Sequence, residues 1–273
     1  MGGVFYGKDL KMATVYPLYS SSSGNCTYIG DSQSGILIDC GVSCKKTLEA
    51  LAMHGIPITA IRAICVTHTH DDHIKGLKVL TKKCPVKIIA QSDNLLMLAN
   101  KQLISPYCEL CPIEDGETIS LDDTEISAFE TMHDTPANCG FTFTLKDGKR
   151  AAVCTDLGIV TETVRSALMG VDMALIEANY DKAMLFNGAY PESLKRRISS
   201  EHGHLSNDDS GELAKFLLEG GTTKLCLGHL SEHNNTPQKA ESTVVAALGD
   251  AKRNSDYMLD VATKDFSGLA VVF

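Results

Sequence analysis

The chain has 273 residues, 44% of them hydrophobic, and 25 Lys and Arg against 34 Asp and Glu give a formal net charge of −9. That is enough apolar material for one large layered domain or two small ones, while the acid excess excludes a nucleic-acid footprint spread over the whole surface and allows only a local basic patch. No apolar run approaches the roughly 20 residues of a bilayer-spanning helix, and Met1–Tyr6 lacks the apolar core of a secretory signal.

Residues 1–12 read as a poorly anchored leader ahead of a domain over 13–273, with Met12 as an alternative start. Val15–Tyr19 and Cys26–Ile29 read as strands around the turn-rich stretch Ser20–Asn25, whose hydroxyls and amides are placed either in a plain hairpin loop or at the edge of a site. Gly35–Gly41 is a strand ending in Asp39, a carboxylate that needs a partner if buried. Lys45–Met53 follows with helical spacing.

Ala63–Val66 is an apolar strand that runs straight into Thr67-His68-Thr69-His70-Asp71-Asp72-His73, and a helix begins at Ile74. Three histidines and two aspartates therefore crowd one strand-to-helix loop. Imidazole and carboxylate are ligands for Zn²⁺ or Mn²⁺, and His68 and His70, two apart on an extended segment, point to one side. One ion cannot easily use every ligand of so short a loop, so the spacing predicts two divalent ions, with Asp72 and His73 serving the second.

Val86–Ala90 reads as a strand, Ser92 as the cap of a helix through Leu98, and short strands fill Glu117–Phe129. His133 follows the last of these, where a shared metal centre would need a ligand. Strands Cys139–Leu145 and Ala151–Gly158 flank a hairpin turn, and the second carries Asp156 at its end, the expected bridge between two ions. Val171–Asn179 is a strand carrying Glu177. Tyr190–Ile198 is a helix with Pro191 early in it, and it holds the cationic run Lys195-Arg196-Arg197. With Lys182, these form a candidate phosphate-binding strip, set against the plainer reading of a solvated helix face. Ser206 or Asn207 caps a helix through Leu217, Lys224–Ser231 is a strand with His229 near its end, and a helix to about Leu248 and two strands close the chain. Ten cysteines, most of them inside apolar runs, read as reduced, buried thiols of a cytoplasmic protein, and Cys108-Glu109-Leu110-Cys111 is a lone C-x-x-C without a second pair.

The succession His68, His70, Asp72, His73, then His133, Asp156 and His229 resembles the metallo-β-lactamase superfamily from about Tyr16 to Phe273. Ser20–Asn25, Thr155–Gly158, Glu177–Asp181, Gly203–Asn207 and Gly228–Ser231 are similar to the YycJ/WalJ-like branch of its bacterial metallohydrolases. The resemblance implies an α/β fold, the αββα four-layer sandwich. It implies a binuclear phosphodiesterase with His68, His70 and His133 on one ion, Asp72, His73 and His229 on the other, and Asp156 on both. It also implies DNA as substrate, cut by a 5′-3′ exonuclease linked to repair. A hydrolase of a small phosphodiester or thioester is the alternative on the same site. Gly203-His204-Leu205-Ser206 with Glu177 resembles the element that sets a histidine by the scissile phosphate in tRNA 3′-processing and β-CASP nucleases, which makes Glu177 and His204 catalytic candidates; Asp72 joins them as the holder of the nucleophile's proton. His202 competes with His204 for that role, and His233 departs from the family pattern.

Overall fold

The computed structural model describes residues 14–266 and 268–273, so the leader and Met12 lie outside the described residues. Among these residues the strands are β1 (Thr14–Tyr19), β2 (Cys26–Gly30), β3 (Gly35–Ile38), β4 (Ile61–Cys65), β5 (Lys87–Ala90), β6 (Glu109–Pro112), β7 (Thr118–Leu121), β8 (Thr124–Glu130), β9 (Cys139–Thr144), β10 (Arg150–Cys154), β11 (Met173–Glu177), β12 (Lys224–Gly228), β13 (Met258–Val261) and β14 (Val271–Val272). The helices are α1 (Cys44–Met53), α2 (Asp71–Ile74), α3 (Leu77–Lys83), α4 (Ser92–Asn100), α5 (Glu162–Leu168), α6 (Lys182–Asn187), α7 (Glu192–Ile198), α8 (Asn207–Glu219) and α9 (Pro237–Ala247).

Two mixed seven-stranded sheets result, ordered β14-β1-β2-β3-β4-β5-β6 and β13-β12-β11-β10-β9-β8-β7. Their central strands read as unbroken apolar runs because both faces are covered. In the first sheet Ile36, Ile38, Ala63, Cys65 and Ile89 point into the layer between the sheets, against Phe141, Phe143, Val153 and Leu175 of the second. The alternate residues Leu37, Ile64 and Ile88 pack outward on the layer that includes Leu51 of α1, Leu77 and Leu80 of α3, and Leu95 of α4. Ala152, Cys154, Ala174 and Ile176 do the same against Val164, Leu213, Leu217 and Val244. This is the expected αββα sandwich. No helix among the described residues is long and apolar enough to cross a membrane.

The topology gathers strand ends. Strands β3 to β6 run parallel to one another, as do β10 to β13. Strand β8 is antiparallel to β9, which is antiparallel to β10, so β8 and β10 share a direction. Asp39, His68, His133, Asp156 and His229 therefore leave their strands toward one edge of the sandwich.

Strand β6 and helices α5 and α6 have no counterpart in the sequence expectations. Strand β6 is an exposed edge with no apolar alternation, and the two helices are six or seven residues long. Ser92 is the first residue of α4 rather than its cap; Gln91 takes the cap position, and the Ser92 hydroxyl donates to Glu114 Oε1 at 2.5 Å.

Candidate metal centre

Three of the side-chain positions at this edge rest on backbones in the left-handed region: Asp39 (φ 58°), Asp156 (φ 60°) and His229 (φ 56°). Such residues cost about 1–3 kcal/mol each and persist only where their surroundings hold them. Amide side chains do that here. Asn138 Nδ2 donates to Asp156 O at 2.7 Å, and Asn179 Nδ2 donates to His229 O at 2.8 Å. The α2 turn is pressed against the β2–β3 end so tightly that a Cβ on Gly41 would lie 1.5 Å from Asp72 O, and one on Gly76 would lie 2.0 Å from Val42 O.

All the expected ligands converge. His68, His70 and His133 offer nitrogens within 4.8 Å of one another; so do Asp72, His73 and His229 with a carboxylate oxygen, and His68, His73 and Asp156 link the two groups. A fourth set, Asp156, Glu177, His204 and His229, adjoins them.

The proton on each buried ring is fixed by its partner. His73 Nδ1 lies 2.7 Å from Asp39 Oδ2 and His229 Nδ1 lies 2.7 Å from Glu177 Oε1; carboxylates accept, so both Nδ1 atoms carry hydrogen. His133 Nδ1 donates to the Gly203 carbonyl at 2.9 Å. Thr67 Oγ1 gives its own hydrogen to Asp39 at 2.9 Å and so accepts from His68 Nδ1 at 3.0 Å. Four Nε2 atoms are left facing inward, as lone pairs toward an ion or as N–H groups toward a carboxylate.

What they face are more lone pairs. His73 Nε2 stands 3.2 Å from Asp156 Oδ2, a buried oxygen with no aligned hydrogen-bond donor. His229 Nε2 is 3.4 Å from Asp72 Oδ2, and His133 Nε2 is 3.7 Å from Asp156 Oδ1. The ion-pair partners of Asp39, Asp72, Asp156 and Glu177 among the described residues are all histidines. Buried, acceptor-lined and without Lys or Arg, the cage favours a cation at its Nε2 positions, a proton or a metal ion. Divalent ions fit it, and the bonds to Asp39, Thr67, Glu177 and Gly203 are the outer supports such ligands use.

Protonation states follow the same logic. Burial disfavours charge on His229, but Asp156, Asp72 and Glu177 overcome it and lift its pKa to about 10. Burial likewise opposes charge on His73, yet Asp156 and Asp39 raise it well above the ordinary histidine value. His68, buried and next to other histidines, is pushed well below it. Burial works against ionising Asp72 and Asp156, and the surrounding imidazoles still hold both well below the usual carboxylate range.

His204, not His202, stands in the site. Its Nδ1 is 2.8 Å from Glu177 Oε1, the same oxygen that receives His229. His202 is exposed and lines a second cavity, beside Asp93 and Glu130, that also reaches His133. His233 packs its ring 5.9 Å from that of Tyr190 and belongs to none of the ligand groups. The four cations expected to bind phosphate do not form a strip. Lys195 is buried with Nζ on Phe186 O at 2.8 Å, Lys182 lies 3.6 and 3.8 Å from Asp208 and Asp209, and Arg196 lies 3.6 Å from Glu192. Arg197 clasps Asp134 at 2.6 Å through both Nε and a terminal nitrogen, and it alone of the four lines the cavity of about 180 Å³ that His204 shares with Ser22, Asn179 and Tyr190.

The Ser20–Asn25 stretch proves to border the site: Asn25 Nδ2 is 3.1 Å from His73 Nε2, and the His229 amide donates to Ser20 Oγ at 2.8 Å. Thr67, Asn138 and Asn179 were not anticipated. Thr67 had a signal, since it directly precedes His68, and so did Asn179, which lies within Glu177–Asp181; Asn138 acts through the distant carbonyl of Asp156 and had none.

Two sheets presenting histidines and carboxylates from their strand ends define a metallohydrolase of the β-lactamase type, and residues 35–230 match the family model described as "Beta-lactamase superfamily domain". The chain belongs to that family. It is 36% identical over 236 residues to exodeoxyribonuclease WalJ of Streptococcus pneumoniae serotype 2 (strain D39 / NCTC 7466), covering 86% of this chain and 87% of the relative. It is 31% identical to exodeoxyribonuclease YycJ of Bacillus anthracis, covering 85% and 87%. Among solved structures, the metallo-β-lactamase fold protein YhfI of Bacillus subtilis superposes with a TM-score of 0.71 at 14% identity, covering 94% of this chain and 98% of that one, which establishes the fold.

Proposed function

We infer that this chain is a binuclear phosphodiesterase that removes nucleotides from the 5′ end of DNA. It would work in the cytoplasm with reduced thiols, on Zn²⁺ or Mn²⁺, from a single domain spanning residues 13–273. The chemistry of the inward-facing donors and the exodeoxyribonucleases to which the chain is similar support this reading. The observation that carries it is His204, held by Glu177 at the rim of the ligand cluster and facing a cavity.

His68, His70, His133 and Asp156 would hold one ion, and Asp72, His73, His229 and Asp156 the other. When bound, such ions act as Lewis acids and lower the pKa of water. The protein's own groups do the rest. Glu177 accepts a hydrogen bond from His204 Nδ1, so the imidazolium form carries its second hydrogen on Nε2, passes that proton to the departing oxygen and is left neutral. It also fixes the His229 ring, so one buried carboxylate sets both a ligand and the acid. Asp134 steers Arg197 toward the same cavity, where the guanidinium offsets phosphate charge.

Metal-loaded protein given DNA labelled at either end tests the reading. Mononucleotides released progressively from the 5′ end are expected. Intact DNA alongside turnover of a small phosphodiester or thioester would transfer the activity to the alternative substrate.

A further inference from the structure

The cations of the molecule are segregated. Residues 41–101 hold nine Lys and Arg against four Asp and Glu, whereas the whole chain holds 25 against 34. Of those four acids Asp72 belongs to the metal cluster, and Glu49 lies 3.8 Å from Lys45. The excess is concentrated on one helical path. Lys75 (φ −51°, ψ −37°) and Gly76 (φ −88°, ψ −15°) keep right-handed helical backbone between α2 and α3, so the two run on as nearly one helix. Leu77, Leu80 and Thr81 face the core, while Lys75, Lys78, Lys82 and Lys83 are exposed.

Spacings of three and four put Lys75, Lys78 and Lys82 on one stripe. It starts two residues after His73 and extends for about 10 Å at 1.5 Å per residue, the axial rise of about three nucleotides of one DNA strand. Lys83 sits close enough to α1 to act on the Cys44 thiol, and Lys45 and Lys46 are exposed at the start of that helix. None of Lys75, Lys78, Lys82 and Lys83 has an ion-pair partner among the described residues, in contrast to Lys182, Arg196 and Arg197.

The geometry points to a landing track for the uncut part of the substrate, in which the phosphodiester backbone of DNA lies along Lys75, Lys78 and Lys82, with Lys83, Lys45 and Lys46 at its margin. This rests on the nuclease reading above and adds where the rest of the polymer goes. Charge complementarity and continuity with the metal loop favour a nucleic-acid backbone over an anionic membrane. The stripe carries a single exposed apolar residue, Val79, and no aromatic ring to enter a lipid interface.

The test is the salt dependence of duplex DNA binding, measured with EDTA present so that nothing is cut, for wild type and for a K75A/K78A/K82A variant. Turnover of bis(p-nitrophenyl) phosphate by the metal-loaded proteins reports on fold and site. At about 0.9 per phosphate contact, the log–log slope should fall by about 2.7 in the variant, with small-diester turnover within about twofold of wild type. An unchanged slope in a protein that still degrades DNA overturns the track and leaves the nuclease reading standing. Loss of sedimentation with phosphatidylserine vesicles at an unchanged DNA slope assigns the stripe to a membrane and overturns it as well. A wild type that turns over the diester but neither binds nor cuts DNA removes both.

Discussion

At the residue scale the site works by fixing protons. Each buried ligand histidine spends its Nδ1 hydrogen on a carboxylate, a hydroxyl or a carbonyl and turns Nε2 into the cage, and Glu177 receives two such hydrogens, from His204 and His229, on one oxygen. His204→Ala should therefore lower kcat by about 10²–10⁴-fold, the usual worth of a positioned acid, with metal content unchanged, while His202→Ala should have little effect. An equal loss in both variants would return the role to the alternative histidine. Asp39→Asn changes no ligand but weakens the hold on His73 and Thr67, and a drop of about 10–100-fold in metal affinity is expected by chelator competition. The ligands were legible in the sequence because each follows the end of an apolar strand in a recognisable order; the roles of Asn138 and Asn179 were not, because what they satisfy is a carbonyl in strained backbone rather than a side chain.

At the element scale, parallel strands account for most of the site. A strand that rises to the site edge and returns through a helix places its next residue there again, which brings Glu177 level with Gly228 in the β11–β12 register and hence beside His229. That alternation could be read from apolar runs and caps. The cationic run of α7 was misleading because sequence adjacency says nothing of partners: Asp134 holds Arg197 at the His204 cavity, Glu192 pairs with Arg196 away from it, and Lys195 turns inward. The α2 turn depends on close backbone approach. Gly41→Ala inserts a methyl group against Asp72 O, and overpacking of this kind costs about 1–3 kcal/mol. Chemical denaturation should show that loss together with reduced metal content, since Asp72 and His73 ride on the displaced turn; full metal content would mean that the turn tolerates the shift.

At the scale of the whole molecule, the thiols report on how completely the sandwich closes. Cys26, Cys40, Cys44, Cys65, Cys139, Cys154 and Cys226 are buried, and Cys84, Cys108 and Cys111 are partly accessible. A thiol reagent should label the last three rapidly and the other seven only on unfolding. Burial raises the pKa of Cys65, Cys139, Cys154 and Cys226. In the unfolded chain these thiols ionise near about pH 8.5, before the native ones, so the unfolded state loses protons first. Their contribution to stability is complete below that pH and is lost as pH rises above it. The melting temperature should accordingly fall between about pH 8.5 and 10.5, and a flat profile would mean that water reaches the layers.

The cage of inward-facing nitrogens and carboxylates is the centre on which the rest depends, and Asp156 joins its two halves. Metal analysis of wild type beside Asp156→Asn tests it most directly. Two divalent ions per wild-type chain, and at most one in the variant with DNA cleavage abolished, are expected; two ions retained with cleavage intact in Asp156→Asn would contradict a shared binuclear centre.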